Sequence, residues 1–297
     1  MPRVCCHYSF VVAAVAALAL PAGFQAIAHA FADGSGEKTY EVEKVKDIAY
    51  YEGKDADKKK HKLDLYLPKD QKDFPVVMFV HGGAWSIGSK DVAWHADVGK
   101  FFAAHGIGAV SINYRLSSPG GNVQHPEHIK DVARAFAWTQ KNIKKHGGRP
   151  DQIFIAGHSA GGHLVALLAT DESYLKAEGC SLKDIKGVLP ISGVFDVQKT
   201  EFAHMFGDDV EVRKKASPIN QVNAGVPPFL ILYADKDLAG IPEGSEAFCK
   251  ALKDKKANVE ILKLEDRNHM TILLKGIKDG DPCGKAMLDF IKEQTKK

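Results

Sequence analysis

The sequence predicts an α/β protein with a mostly parallel central sheet of about eight strands and helices on both faces. Strand-like and helix-like segments alternate along nearly the whole chain, which is the pattern of strands joined by crossover helices. One segment, PVVMFVHGG, is a continuous apolar run that ends in glycines, as expected of a strand buried on both faces. The chain has 297 residues, 45% of them hydrophobic, and can bury a large core.

The predicted elements follow one another in a regular order. TYEVEKVKDIAYY and KLDLYLP alternate with a period of two and predict an opening antiparallel pair. The apolar strand follows, then a helix over about 92–105, the strand GIGAVSINYR, and a helix with Pro126 near its start and Gly147 beyond its end. After IFIAG and its helix come the strands IKGVLPISGVF and PFLILYA, a helix over 243–256, the strand VEILKLE and a last helix over about 282–294. The irregular stretch 198–217 is expected to form a small flap, so no large cap is predicted.

The first thirty residues have the composition of a secretory signal peptide. Arg3 precedes the apolar core FVVAAVAALAL, Pro21 and Gly23 end that core, and Ala28 and Ala30 are small residues that suit a signal peptidase. We therefore expect cleavage near Ala30, a secreted or periplasmic protein without a stable membrane anchor, and a single domain over residues 31–297. A retained anchor and a buried N-terminal helix are the alternatives, although the apolar core is shorter than the roughly 20 residues of a membrane span.

The charge balance and the cysteine positions bear on nucleic-acid binding, metal binding and disulfide formation. With 40 basic and 37 acidic residues the net charge is +3, which gives no indication of a nucleic-acid partner. Cys180, Cys249 and Cys283 lie beyond the expected signal peptide and do not have the spacing of metal ligands. They are either small, partly buried side chains or include one disulfide between Cys249 and Cys283. We expect neither a metal nor another cofactor.

The stretch IFIAGHSAGGHLVALLAT places Ser159 where a strand becomes a helix. Gly157 and Gly161 flank it at G-x-S-x-G spacing, and a tight reversal leaves no room for β-carbons at those two positions. The turn exposes the serine hydroxyl beside the first amides of the helix, which carry partial positive charge. Ser159 is therefore the candidate nucleophile, and an ordinary glycine-rich turn is the alternative.

A serine nucleophile needs a base and an orienting acid, each placed after a later strand. His269 follows the strand VEILKLE and is the last histidine of the chain. Asp235 and Asp237 end the strand PFLILYA, and we favour Asp237 because it lies further into the turn and can reach a neighbouring loop. Asp266 precedes His269 in the same loop and is a poor candidate.

HGGAW, residues 81–85, follows the apolar strand and supplies the remaining part of the expected site. Its glycines let backbone amides approach a reacting carbonyl, so Gly82 or Gly83, or else Ala84, is expected to form an oxyanion hole with Ala160. Substrate contacts are expected from Trp85, His158 and Tyr114, and also from residues in or near the flap: Phe195, Phe202, His204 and Met205. A structural role is the alternative for each of these side chains.

Together, HGGAW, NYRL, GHSAGGH, YADKD and the Asn-His pair at 268–269 resemble the esterase/lipase branch of the α/β-hydrolases. That branch includes enzymes like hormone-sensitive lipase, kynurenine formamidase and small bacterial feruloyl and acetyl esterases. The resemblance covers about residues 40–292 and implies an α/β-hydrolase fold with Ser159 as nucleophile, Asp237 as acid and His269 as base. The sequence departs from the hormone-sensitive-lipase pattern in two ways: Ala84 stands where a third glycine is usual, and no sizeable cap precedes the strands. The Trp-bearing motif is more similar to the formamidase and feruloyl-esterase side, and the resemblance therefore argues against long-chain lipid substrates.

The predicted function is therefore that of a serine carboxylesterase acting on short-acyl or aromatic-acid esters. Its partner would be a small-molecule or carbohydrate-linked ester. The same three side chains would serve an arylformamidase or another amide-bond or peptide-bond hydrolase. The alternative of another class is a non-catalytic binding module on a hydrolase scaffold.

Overall fold

Eight strands form one mixed sheet in the part of the chain that the structure, a computed structural model, describes: residues 39–118 and 120–296. The strands are β1 Val42–Ala49, β2 Lys62–Pro68, β3 Phe74–Val80, β4 Gly108–Ile112, β5 Gly148–His158, β6 Ile185–Ile191, β7 Phe229–Lys236 and β8 Val259–Asn268. The order across the sheet is β1-β2-β4-β3-β5-β6-β7-β8. β2 is antiparallel to β1 and to β4, and the remaining neighbours are parallel. The predicted fold class and the opening antiparallel pair are confirmed.

Helices connect the strands and end the chain. They are α1 Ala93–Ala104, α2 Glu127–Asn142, α3 Ala160–Thr170, α4 Ser173–Ala177, α5 Ala203–Phe206, α6 Val210–Lys215, α7 Ile241–Asp254, α8 Thr271–Gly276 and α9 Pro282–Thr295. Five of them, α1, α2, α3, α7 and α9, match predicted helices to within a few residues. The predicted flap contains the short helices α5 and α6.

Successive residues of the central strands alternate between two cores. Met78 and Ile155 face a core that includes residues of α2, α3 and α7. Phe79 and Phe154 face the opposite core, which includes residues of α1, α8 and α9. The sheet is therefore covered by helices on both faces, and its carboxyl edge is left to the connecting loops.

The cysteines belong to these cores. Cys180, Cys249 and Cys283 are all free and buried. Cys249 packs in the first core and Cys283 in the second, so the sheet lies between them. The disulfide alternative is wrong, and the interpretation as small buried side chains is confirmed.

The expected signal peptide, residues 1–30, lies outside the described residues, which belong to the compact unit Glu37–Lys297. Within residues 39–118 and 120–296, no helix combines the length and the apolar character that a membrane span requires.

Candidate active site

Ser159 occupies a strained turn between β5 and α3. Its backbone has φ 56° and ψ −119°, a conformation that a residue with a side chain adopts at a cost and that is typical of functional turns. A β-carbon at Gly157 would lie 2.3 Å from the carbonyl oxygen of Gly161, and one at Gly161 would lie 2.0 Å from that of Val80. The two glycines are therefore required for this turn to pack against β3.

Ser159, His269 and Asp237 form a continuous hydrogen-bonded chain. The Nε2 atom of His269 lies 2.9 Å from Oγ of Ser159, and its Nδ1 atom lies 2.6 Å from Oδ1 of Asp237. Each residue directly follows a parallel strand, β5, β8 or β7, and the carboxyl ends of such strands share one edge of the sheet. The structure thus brings the three predicted side chains together in the order that nucleophilic catalysis needs.

The two aspartates at the end of β7 have different partners. Asp235 accepts a hydrogen bond from the backbone amide of Arg267 at 2.9 Å. The side chain of Asp237 is fully buried; burial raises its pKa, but hydrogen bonds outweigh that effect and the pKa lies below its usual value. His269 and Ser192 donate to Asp237 from side chains, and the amides of residues 234 and 238 donate from the backbone. Asp237 is therefore held as a carboxylate beside the imidazole.

Ser192 is a residue of the site that the sequence analysis missed. It follows β6, is fully buried, and donates its hydroxyl to Oδ2 of Asp237. Its φ of 48° is in the left-handed region, as is that of Ser159. Its position in the sequence could have indicated this role, because Ser192 directly follows β6, and β6 lies between β5 and β7, the strands that precede Ser159 and Asp237.

The HGGAW loop lies against the serine. A β-carbon at Gly82 would lie 3.1 Å from Cβ of Ser159, and Gly83 has a φ of 121°. Ala84 and Trp85 have φ values of 48° and 55°, so the loop is strained beyond its glycines. Ala84 lines the same cavity as Ser159 and Ala160, which keeps Ala84 among the candidate oxyanion donors.

A cavity of about 460 Å³ opens beside Ser159 and Ala160. Its apolar lining is formed by Trp85, Val194, Phe195, Phe202, Leu238 and Ile241. Its charged lining is formed by Asp196, Lys199, Glu201 and Glu243. The flap supplies three of these side chains, at positions 199, 201 and 202.

Two of the residues expected to contact substrate do not line this cavity. Tyr114 is fully buried and donates its hydroxyl to the carbonyl of His81. His158 is 3% exposed and hydrogen-bonds the carbonyl of His269. Neither lines the cavity, because each faces the protein behind the strand ends, whereas Trp85 does line it. Of the residues expected in or near the flap, Phe195 and Phe202 line the cavity and His204 and Met205 do not.

One group of three carboxylates among residues 39–118 and 120–296 has the spacing of a cation site. Oxygen atoms of Asp47, Asp64 and Asp91 lie within 4.8 Å of one another. The buried ammonium of Lys90 lies 2.7 Å from the first two and 3.0 Å from the third. The Lys90 ammonium is therefore the cation that these three carboxylates share, and the cluster forms an ion-pair network.

The fold and the site together define the class of protein. A mostly parallel sheet, a serine at a strand-to-helix turn, and an aspartate and a histidine after later strands are the features of an α/β-hydrolase of the esterase/lipase group. The BD-FAE family model matches residues 63–252, well over half of the chain. The chain belongs to the BD-FAE family.

Curated proteins and solved structures are similar to this chain over most of its length. Esterase LipC of Mycobacterium tuberculosis is 33% identical over 258 residues, which cover 78% of this chain and 62% of the relative. The probable isoprenylcysteine alpha-carbonyl methylesterase ICME of Oryza sativa subsp. japonica is 28% identical over 246 residues, covering 74% and 57%. The chain thus spans less than two thirds of the length of these relatives.

Among solved structures, a truncated form of a carbohydrate esterase from gut microbiota superposes with a TM-score of 0.74 at 24% identity. The superposition covers 89% of this chain and all of the other. At this identity the likeness concerns the fold.

Proposed function

We propose that this protein is a secreted serine carboxylesterase that hydrolyses short-acyl or aromatic-acid esters through an acyl-enzyme intermediate. The observation that carries the proposal is the hydrogen-bonded chain from Asp237 through His269 to Ser159. It ends at the wall of a cavity of about 460 Å³, within the roughly 300–1,000 Å³ of small-molecule sites. The esterase names of the relatives support the same reaction class.

In the acylation step, Oγ of Ser159 attacks the ester carbonyl while Nε2 of His269 accepts its proton. Asp237 accepts the Nδ1–H of His269, which fixes the tautomer with a free lone pair on Nε2 and stabilises the imidazolium that forms. His269 then returns the proton to the departing alcohol. Water attacks the acyl-enzyme by the same route and releases the acid.

The negative charge on the carbonyl oxygen needs hydrogen-bond donors that are already in place. The amide of Ala160 lies in the first turn of α3, where backbone N–H groups have no partner within the helix. The second donor would come from the loop at positions 82–84, which packs against Ser159. Loss of one such donor typically lowers kcat by about 100- to 1000-fold.

The lining of the cavity suits short or aromatic acyl groups. Trp85, Phe195 and Phe202 offer apolar surface for a short acyl chain or an aromatic ring. The charged side chains of the lining suit a polar alcohol portion of the substrate. Export is supported by the signal-like composition of residues 1–30.

The test is hydrolysis of p-nitrophenyl acetate, butyrate and decanoate by the mature protein and by Ser159→Ala. We expect the mature protein to hydrolyse the acetate and butyrate esters and to hydrolyse the decanoate ester only slowly. Ser159→Ala should hydrolyse none of them above the uncatalysed rate. No Ser159-dependent hydrolysis of any ester would contradict the proposal. Formamide and peptide substrates would then be assayed with the same pair of proteins.

A further inference from the structure

His158 lies beside the three candidate catalytic side chains and is not one of them. It is 3% exposed, and its Nε2 atom lies 2.7 Å from the carbonyl oxygen of His269. The two imidazole rings are 4.8 Å apart between centroids and inclined at 43°. A buried, hydrogen-bonded side chain in contact with the candidate base can control where that base sits.

The direction of this hydrogen bond follows from its acceptor. A carbonyl oxygen can only accept, so Nε2 of His158 must carry the hydrogen. Burial, together with the nearby His269, lowers the pKa of His158 to about 3, so the ring is neutral under ordinary conditions. On its other side the ring lies next to Gly82, where an added β-carbon would come within 3.2 Å of the Nδ1 atom.

The hydrogen bond joins parts of the fold that the sheet does not pair. His158 ends β5 and His269 follows β8, and β6 and β7 lie between these strands. Ser159 contacts the ring of His269, while the preceding residue, His158, holds its backbone. Two consecutive residues at the turn from β5 to α3 therefore fix one histidine at two points, which leaves its imidazole little freedom to turn away.

We propose that His158 is a positioning residue: by donating Nε2–H to the carbonyl of His269, it holds the imidazole at the Ser159 hydroxyl. The inference rests on the proposed function of the site. The neutral state of the His158 imidazole suits this role, because a positive charge on His158 would oppose formation of the imidazolium on His269.

Two amide side chains of different length test the proposal. In His158→Gln, the amide nitrogen can occupy the place of Nε2 and donate to the same carbonyl. In His158→Asn, the amide reaches only the place of Nδ1 and cannot. We expect His158→Asn to lower kcat by about 10- to 100-fold, the scale of a misplaced catalytic group. KM should stay within about twofold, and His158→Gln should recover most of the lost kcat.

A matched control lies at the other end of the sheet. The side chain of His105 is 10% exposed, and its Nδ1 lies 2.8 Å from the carbonyl of Phe101, at the end of α1. This end precedes β4, away from the carboxyl edge that carries the site. Because an Asn amide would reach the place of Nδ1 and keep this bond, the control is His105→Leu, which removes a nearly buried imidazole together with its hydrogen bond to a carbonyl. It should leave kcat unchanged.

A measurement that needs no turnover separates this inference from the proposed function. The proton between Nδ1 of His269 and Asp237 should give a far-downfield NMR signal that reports the position of the ring. We expect His158→Asn to shift or broaden it, and His158→Gln to retain it. Equal kcat values and equal spectra for the two variants would overturn the positioning role, whether or not the wild type hydrolyses esters.

Discussion

Ser192→Ala isolates one hydrogen bond to the candidate acid. The substitution removes the hydroxyl that donates to Oδ2 of Asp237 and leaves His269 and the amides of Ala234 and Leu238 in place. The side chain of Asp237 is fully buried, so water cannot readily replace the hydroxyl. A hydrogen bond to a charged group contributes about 1.5–3 kcal/mol. We expect the free energy of unfolding at pH 7 to fall by about that amount.

The loss should depend on pH with a defined sign. The folded-state pKa of Asp237 lies below its usual value, so the carboxylate contributes stability above the unfolded pKa of about 3.9. This contribution is lost as the pH falls through the folded-state pKa. The difference in stability between wild type and Ser192→Ala should therefore be full at pH 7 and shrink in strongly acidic solution.

Ser111 provides the matched control for this experiment. It is fully buried on β4, and its hydroxyl has no hydrogen-bond partner. Ser111→Ala should therefore be neutral or stabilising, since it removes a polar group that burial leaves unsatisfied. Urea unfolding measures the free energies of unfolding, and hydrolysis of p-nitrophenyl butyrate measures kcat. We expect kcat to fall about tenfold in Ser192→Ala alone, which corresponds to the loss of about 1.4 kcal/mol of transition-state stabilisation. Equal stability and equal kcat in the two variants would refute the reasoning.

Three further predictions concern the acid, the buried histidines and the turn that carries Ser159. Asp237→Asn should lower kcat by about 10⁴-fold, whereas Asp235→Asn, whose partner is a backbone amide, should keep most of the activity. Equal losses would contradict the assignment of Asp237 as the acid, and a larger loss in Asp235→Asn would reverse it. Burial lowers the pKa of His81, His158 and His163 to about 3. Below pH 6.5 the unfolded chain therefore binds more protons than the folded protein, and each of these histidines should lower the free energy of unfolding by about 1.4 kcal/mol per pH unit down to about pH 3. A melting temperature that does not fall between pH 7 and 5 would contradict this expectation. Gly161→Ala should unfold at markedly lower urea concentration than wild type, because its β-carbon would meet the carbonyl oxygen of Val80 at 2.0 Å. An unchanged midpoint would contradict the requirement for glycine in this turn.

The three central residues of the site could be predicted because each depends on local rules. Ser159 is marked by glycines whose absence of a β-carbon the turn requires. Asp237 and His269 are marked by their places just after strands whose apolar composition is visible in the sequence. Parallel strands end at one edge, so positions far apart along the chain can be assigned to one site without coordinates.

The residues around the site could not be predicted in the same way. His158 and Tyr114 were expected to contact substrate because they lie near strand ends, but a strand end has a side that faces the cavity and a side that faces the protein. Ser192 was missed because its contact with Asp237 depends on how two loops from adjacent strands meet.

By itself, the sequence determined the order of the elements, the α/β-hydrolase fold and the identities of the candidate nucleophile, acid and base. Periodicity, glycine sterics and strand order are properties of the chain, so they can be read along it. Only the tertiary structure decided which polar side chains support those three residues and which line the cavity. The hydrogen bonds of His158 and Ser192 each join separate strand ends, and whether such groups meet depends on the packing of the whole sheet edge.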